Sequence, residues 1–188
     1  RNSRSVEISR LIGRCLRSTV DLSLISEKTI MVDCDVLQAD GGTRVACITA
    51  SSLALMLAQQ RWIDSGIIDK NIVSEQIAAV SIGLVNGMVY SDLSYQEDKV
   101  AEVDFNFVLT KNEKLVEIQG TAEKHPISLE VFEKIKLYAI DGVSQIFNIL
   151  SETPNISEDI NEKLLGDTFL HSRQFKSQAF CIQNRINK

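Results

Sequence analysis

Proline is nearly missing from this 188-residue sequence, with two in all, and glycine (nine) and aromatic residues (6%) are sparse. With 44% hydrophobic and 24% charged residues and no repeat or low-complexity run, the composition excludes a disordered chain. No apolar run approaches the roughly 18 residues a membrane-spanning helix needs, so no membrane partner is expected. Histidine is limited to His125 and His171, neither of which sits in a catalytic pattern. The four cysteines, Cys15, Cys34, Cys47 and Cys181, lie far apart, with no CxxC and no histidine at ligand spacing. That argues against a structural zinc site and for buried free thiols in a reducing compartment. Cys34 lies between Asp33 and Asp35, two acids that disfavour a thiolate, so a structural role is expected for it. No signal-peptide pattern is read, and a cytoplasmic location is expected.

What is present is enough apolar residue for one sizeable core, so one domain is the first expectation. The sequence opens on Arg1, which points to a processed N-terminus or to part of something longer. The net charge of −5 hides an asymmetry. Residues 1–20 carry Arg1, Arg4, Arg10, Arg14 and Arg17 against Glu7 alone. Residues 92–104 carry Asp92, Glu97, Asp98, Glu102 and Asp104 against Lys99. An acidic average is therefore compatible with a basic and an acidic patch facing one substrate.

Periodicity places a helix from Ser5 to about Val20, its apolar residues at Ile8, Leu11, Ile12, Cys15, Leu16 and Val20. Arg10, Arg14 and Arg17 share a second face of it. Thr29–Val36 reads as a strand. Thr43 opens a long helix that includes Trp62 as a core residue and stops near Gly66. Ala78–Leu84 reads as a buried strand, Asn86-Gly87 as a two-residue hairpin turn and Met88–Leu93 as the partner strand. Val103–Leu109 and Leu115–Gln119 are strands about a polar turn at Lys111–Lys114. Ser128 is the expected N-cap of a helix that runs to about Leu150. Ser151–Lys188 is polar and weakly periodic and reads as an appended tail, partly helical. Short turns between the middle strands give an α+β class with antiparallel pairing.

Two stretches carry candidate chemistry. In Asp40-Gly41-Gly42-Thr43-Arg44, two glycines lead into a helix, followed by a hydroxyl and a guanidinium. Glycines allow close backbone approach, a helix N-terminus presents N–H groups, and the arginine fork matches a phosphate. The plainer alternative is a chain turn, with Thr43 capping the helix and Arg44 paired to a surface acid. In Tyr95–Asp104, Asp98 precedes a strand and Asp104 lies near its start. An aspartate between Val103 and Phe105 is costly to bury unless paired or metal-bound. Two carboxylates there suit a hard cation such as Mg²⁺, and one could protonate a leaving oxygen. The alternative is a solvated acidic turn.

Four stretches, Arg4–Arg14, Val32–Arg44, Asp92–Asp104 and Val116–Glu123, occur in an order and spacing that resemble the ribonuclease PH family. The resemblance runs from about Arg4 to about Leu150. It implies the α+β fold shared with domain 2 of ribosomal protein S5, a mixed or antiparallel sheet packed with helices. It also implies phosphorolysis: inorganic phosphate, as co-substrate, attacks the last phosphodiester of an RNA 3′ end, typically a tRNA precursor, and a nucleoside diphosphate leaves. By the same resemblance Arg4, Gly42, Thr43 and Arg44 bind the phosphate. Asp98 and Asp104 bind Mg²⁺ and supply acid catalysis. A homo-oligomeric ring, a hexamer built as a trimer of dimers, is the implied assembly.

The departures set further expectations. The family's first strands and its basic tRNA-gripping segment, which precede the position of Arg1, are not in this sequence. The fold is therefore expected to be incomplete at its N-terminus, with a separate N-terminal fragment as an expected partner. Val45 stands where a hydroxyl residue is common. Residues 1–155 are read as the family domain and 156–188 as a tail of unknown role. A non-catalytic or degenerate ring subunit is the other reading these residues allow, and a nucleotide-binding module a third.

Overall fold

The computed structural model describes residues 3–25, 28–152, 180–181 and 184–187. Helix α1 (Ser3–Arg17) forms where apolar residues recur every three or four positions, and it buries Leu11, Ile12, Cys15 and Leu16. Arg14 and Arg17 in its last turn complement the helix dipole. The expected strand Thr29–Val36 is two short ones, β1 (Thr29–Val32) and β2 (Asp35–Val36). The break falls at Asp33-Cys34, where the Cys34 thiol turns inward to Ser51, 3.2 Å away on the next helix.

That helix, α2 (Thr43–Asp64), buries a stripe that includes Val45, Ile48, Leu55 and Trp62. It ends as expected at a left-handed Gly66 (φ 68°). The Ile67 N–H folds back onto the Trp62 carbonyl at 2.8 Å.

Four antiparallel strands follow: β3 (Ile77–Val85), β4 (Met88–Ser91), β5 (Val103–Thr110) and β6 (Leu115–Ala122), in the order β4-β3-β5-β6. Asn86 and Gly87 both take positive φ (52° and 74°), the geometry of the tight turn that Asn-Gly favours. Between β4 and β5 lies a short helix not anticipated from periodicity, α3 (Tyr95–Val100). Helix α4 (Leu129–Glu152) closes the sheet, and the Val131 N–H donates to the Ser128 hydroxyl, the expected N-cap.

Every residue of β3 is buried, because helices cover both faces of the sheet. Ile77 and Ala79, with Val108 of β5, pack into the core beneath α1 and α2. Ala78, Val80, Ile82 and Leu84 face the other way, onto Ile135, Ala139, Val143 and Phe147 of α4. The i, i+4 spacing of those four α4 residues lays them along one helix face. Phe105 lies across the strand from Gly120, whose missing Cβ leaves room for the ring.

Of the tail, read as partly helical, Ser151 and Glu152 continue α4, residues 153–179 lie outside the described residues, and two short strands follow. β7 (Phe180–Cys181) pairs with β2 and β8 (Asn184–Asn187) with β1. The unpaired edge of β1 and β2 offers backbone groups that a further strand can satisfy. Arg1, His171, Arg173 and Lys176 lie outside the described residues.

β4 pairs only with Ile82–Val85, so among the described residues no strand lies along the upstream half of that edge of β3. Polar side chains of α2 take its place. Ser52 and Thr49 accept from the N–H groups of Ile77 (3.1 Å) and Ala79 (2.9 Å). Farther along α2, the buried Gln59 side-chain oxygen accepts from Ile72 (2.7 Å) and Val73 (2.8 Å). Gln59→Leu keeps the volume and strands both donors. A loss of about 2–4 kcal/mol is expected, read as a lowered urea midpoint at unchanged slope.

Candidate active site

The sheet face beneath α2 changes character along its length. Under the body of the helix it is apolar, through Ile77, Ala79 and Val108. Toward the helix N-terminus it presents the register pairs Ser81–Asn106 and Gly83–Asp104. Alternation along a strand puts all four on the same side. A cleft of about 970 Å³ opens over this polar end, with Arg4, Gly42, Thr43, Arg44, Asp98 and Asp104 in its walls. All six sequence-predicted residues therefore meet in one place.

The loop before α2 is seated by contacts that leave little freedom. Asp40 accepts a hydrogen bond from the Tyr95 N–H at 3.1 Å. Gly41 takes φ 79°, and a Cβ there would run into the Leu93 carbonyl oxygen. Gly42 (φ 53°) is the N-cap, and no side chain caps the helix. The alternative in which Thr43 caps is thus not the observed one. The first helical bond is Ala46 N–H to Gly42 carbonyl (3.1 Å), so the preceding N–H groups have no intrahelical acceptor. They carry the positive end of a 22-residue helix.

Arg44 pairs with Glu7 of α1, Nη2 to Oε2 at 3.0 Å, which joins the first two helices across the cleft wall. Among the described residues its buried Nε–H finds no hydrogen-bond partner, nor does the Ser81 hydroxyl beside Gly42. Two buried polar groups left over at an uncapped helix N-terminus suit an anion. Val45, where a hydroxyl residue was noted as common, is buried in the core and makes no polar contribution to the cleft.

Across from this wall stand the acids. Asp98 was expected just before a strand, and it lies on α3. Ser94 caps that helix, accepting from the Glu97 N–H while the Glu97 carboxylate accepts from Ser94. Asp104 sits half-buried on β5. Burial first and Asp98 second push its carboxyl above the usual range, Arg44 opposes them, and Glu123 adds to the rise. Asp92 is also raised, by desolvation and then by Glu97 and Asp40. Its own left-handed backbone (φ 57°) brings its carboxyl toward Gly42.

Asp98 and Asp104 offer only carboxylate oxygens, the donor type of a hard cation. Among the described residues no group of three or more His, Cys, Asp or Glu gathers to hold a metal. Two carboxylates with water and substrate phosphate completing the shell is a normal Mg²⁺ arrangement, so the residues fit that ion.

The sequence reading did not pick out Glu7, Ser81, Tyr95 or Asn106, all of which line the cleft. The Ser94-x-x-Glu97 capping box was a legible sign of α3. Ser81 was legible as a lone hydroxyl inside an apolar strand, a residue that needs a partner.

Comparison with known proteins agrees with this geometry. Residues 1–60 match domain 1 of the 3′ exoribonuclease family and residues 75–142 match domain 2. Ribonuclease PH of Neisseria meningitidis serogroup B is 46% identical over 145 residues, covering 77% of this chain and 60% of that protein. Ribonuclease PH of Neisseria gonorrhoeae FA 1090 is likewise 46% identical, with the same coverage. The chain thus spans about 60% of the length of the curated relatives it matches. Among solved structures, rice Rrp46 aligns with TM-score 0.60 at 16% identity over 81% of this chain and 67% of its own. The Archaeoglobus fulgidus exosome with RNA bound to the active site aligns with TM-score 0.57 at 18% identity, covering 79% of this chain and 62% of its own. These two share the fold, an antiparallel sheet packed with helices of the ribosomal protein S5 domain 2-like kind. Two family domains matched in order, 46% identity to ribonuclease PH and a common fold place this chain in the ribonuclease PH family of 3′ exoribonucleases.

Proposed function

We propose that this chain acts in phosphorolytic 3′→5′ trimming of RNA, with inorganic phosphate as nucleophile and nucleoside diphosphates as products. One observation carries the reading. An uncapped helix N-terminus flanked by Arg44 and Arg4 faces the carboxyl groups of Asp98 and Asp104 across a single cleft. The first wall suits the attacking phosphate and the second suits the leaving oxygen. The name of the bacterial relatives supports the reaction, and a tRNA precursor is the substrate we assign.

In this reaction a phosphate oxygen attacks the phosphorus of the terminal linkage. The bond from that phosphorus to the 3′ oxygen of the neighbouring nucleotide breaks, and that oxygen leaves with a proton. Arg44, Arg4 and the first N–H groups of α2 hold the attacking phosphate and offset its repulsion from the RNA backbone. Thr43, at the first helical position, adds a hydroxyl beside them. Asp104, whose carboxyl burial raises from its usual range, stands where a proton could be passed to the departing oxygen. A divalent ion such as Mg²⁺, held by Asp98 and Asp104, would neutralise charge that builds there.

The same proposal extends to setting and assembly. We assign a homo-oligomeric ring, a hexamer arranged as a trimer of dimers, and a cytoplasmic location. Exposed Leu129 and Leu137 on α4 supply apolar surface for subunit contact. No described helix is long and apolar enough to cross a membrane. Residues 1–155 form the family domain in this reading and 156–188 the appended segment.

Arg44→Ala is expected to lower phosphate-dependent release of nucleoside diphosphates by about 100-fold, with a raised KM for phosphate. Arg44→Lys restores little of it, because an ammonium lacks the two-point fork. Chromatography of products across a phosphate titration checks both. Nucleoside monophosphates made without phosphate would sink the proposal. A folded chain that binds RNA and never turns it over would favour the non-catalytic subunit.

Asp104→Asn separates the two walls. It should cut kcat by about 10²–10³-fold at saturating phosphate while the phosphate KM stays within about twofold, since the arginine wall is untouched. A KM effect as large as the kcat effect would place Asp104 in phosphate binding.

A further inference from the structure

Among the described residues, the buried polar side chains are Thr19, Ser51, Ser52, Gln59, Ser81 and Thr110. All but Ser81 are satisfied within the chain. Thr19 donates to the Leu16 carbonyl (3.1 Å), and Ser51 pairs with Cys34 (3.2 Å). Ser52 and Gln59 accept from the N–H groups of Ile77 and Ile72, and Thr110 accepts from that of Lys114 (3.2 Å). Ser81 is 4% exposed, and its hydroxyl is closed to solvent and finds no partner among the described residues. Its carbonyl already accepts from the Asp92 N–H at 2.8 Å, so the hydroxyl alone is left over.

Strand geometry decides where that hydroxyl points. Val80 and Ile82, its neighbours on β3, pack against α4, so alternation turns Ser81 to the opposite face, where it lines the cleft. Its register partner Asn106 also lines the cleft, yet the hydroxyl does not bond the carboxamide. The position along the strand follows from α2. The Ile77 N–H meets Ser52 and the Ala79 N–H meets Thr49, so each two-residue step on β3 moves about one turn toward the start of the helix. The next step places Ser81 under the first turn of α2, the turn without a side-chain cap.

We propose that Ser81 is a phosphate-binding residue, its hydroxyl donating to an oxygen of the inorganic phosphate seated under the first turn of α2. The inference rests on the phosphorolytic reading of the cleft and adds a contact at its floor. A hydroxyl buried without an acceptor costs the free chain stability, and an anion that accepts from it recovers the loss. Burial also selects the ligand. A phosphate oxygen reaches Ser81 only at the bottom of the cleft, where free phosphate fits and a phosphodiester, with a nucleoside on each side, does not.

The contact has a consequence for the reaction. Arg44 and the N–H groups of α2 hold the phosphate from the helix wall, whereas Ser81 holds it from the sheet. The next register pair on the same face is Gly83–Asp104. A phosphate bound to Ser81 is therefore placed relative to the strand that carries the acid, and such alignment is what turns binding into rate.

Thermal unfolding of the full chain, in inorganic phosphate and in chloride at equal ionic strength, tests this without any need for turnover. Phosphate should raise the melting temperature of the wild-type chain. Ser81→Ala should melt no lower than wild type in chloride, since it deletes an unpartnered hydroxyl, and should need about tenfold more phosphate for the same gain. Ser81→Cys should behave like Ser81→Ala, because a thiol is a weak donor. In phosphorolysis Ser81→Ala should raise the KM for phosphate about tenfold and that for RNA by no more than about twofold. A Ser81→Ala chain that responds to phosphate as wild type does would overturn the inference. So would a KM effect that falls on RNA in place of phosphate, which would assign the hydroxyl to the RNA backbone. Phosphate that stabilises neither chain would overturn the inference together with the phosphate site. Phosphate stabilisation that depends on Ser81, in a chain that releases no nucleoside diphosphate, would support the contact and count against the phosphorolytic reading alone.

Discussion

The contact on which the cleft depends is the seat of Gly41 against the backbone at Leu93–Tyr95. No side chain can be added at Gly41 without striking the Leu93 carbonyl. One hydrogen bond, from the Tyr95 N–H to Asp40, fixes the loop at the same point. Tyr95 opens α3, which carries Asp98, and Gly41 precedes the turn into α2, which carries Arg44. The separation of the arginine wall from the acidic wall is thus set by a backbone-to-backbone approach that only glycine allows. The two matched family domains, residues 1–60 and 75–142, meet here. The first contributes the arginines and the helix N-terminus, the second the aspartates. Neither holds the whole site.

Helix α2 links this junction to the stability of the fold, and it does different work at its two ends. Its middle and C-terminal part spend polar side chains on backbone groups that lack strand partners, through Thr49, Ser52 and Gln59. Its N-terminal end has no such satisfaction among the described residues, with no side-chain cap and with the Nε of Arg44 left without a partner. Unmet polar groups are costly where they are buried, so their concentration at one end marks that end as the one awaiting a ligand. The sheet below repeats the division, from Ile77, Ala79 and Val108 to Ser81, Asn106 and Asp104.

Much of this was legible from the residues. Local physics governs the features that were read correctly: apolar spacing in α1, positive φ at Asn86-Gly87, the Ser128 cap and the Gly66 stop. The glycines before a helix and the acids at a strand mouth are local patterns, and these residues line one cleft with Arg4, which was named from the family resemblance. What escaped reading depends on distant partners. Thr29–Val36 looks like one strand until Cys34 finds Ser51 on α2. Glu7 reads as a lone acid among arginines until it pairs with Arg44. The low reactivity inferred for Cys34 came from its sequence neighbours, whereas its environment is set by α2. The strands near the C-terminus pair with β1 and β2 from more than a hundred positions away, and a weakly periodic polar stretch carries no sign of that register.

The Arg44–Glu7 pair bears on how an acidic chain can hold a phosphate at all. Both side chains are partly exposed, so their mutual attraction is screened and worth little in stability. Its worth is positional. A lone arginine above Asp104 would be drawn toward that carboxylate, which it already stabilises as an anion. Glu7 holds the guanidinium on the helix side of the cleft, with Arg4 one turn earlier on α1. A doubly charged phosphate competes for the fork more strongly than one solvated carboxylate does, and it can also take the N–H groups of α2 that Glu7 does not use. Displacement of Glu7 by phosphate would then be an exchange of one weak ion pair for several charge-assisted hydrogen bonds. The net charge of −5 is therefore no obstacle to anion binding, because the arginines and the acids are segregated to opposite walls of the cleft.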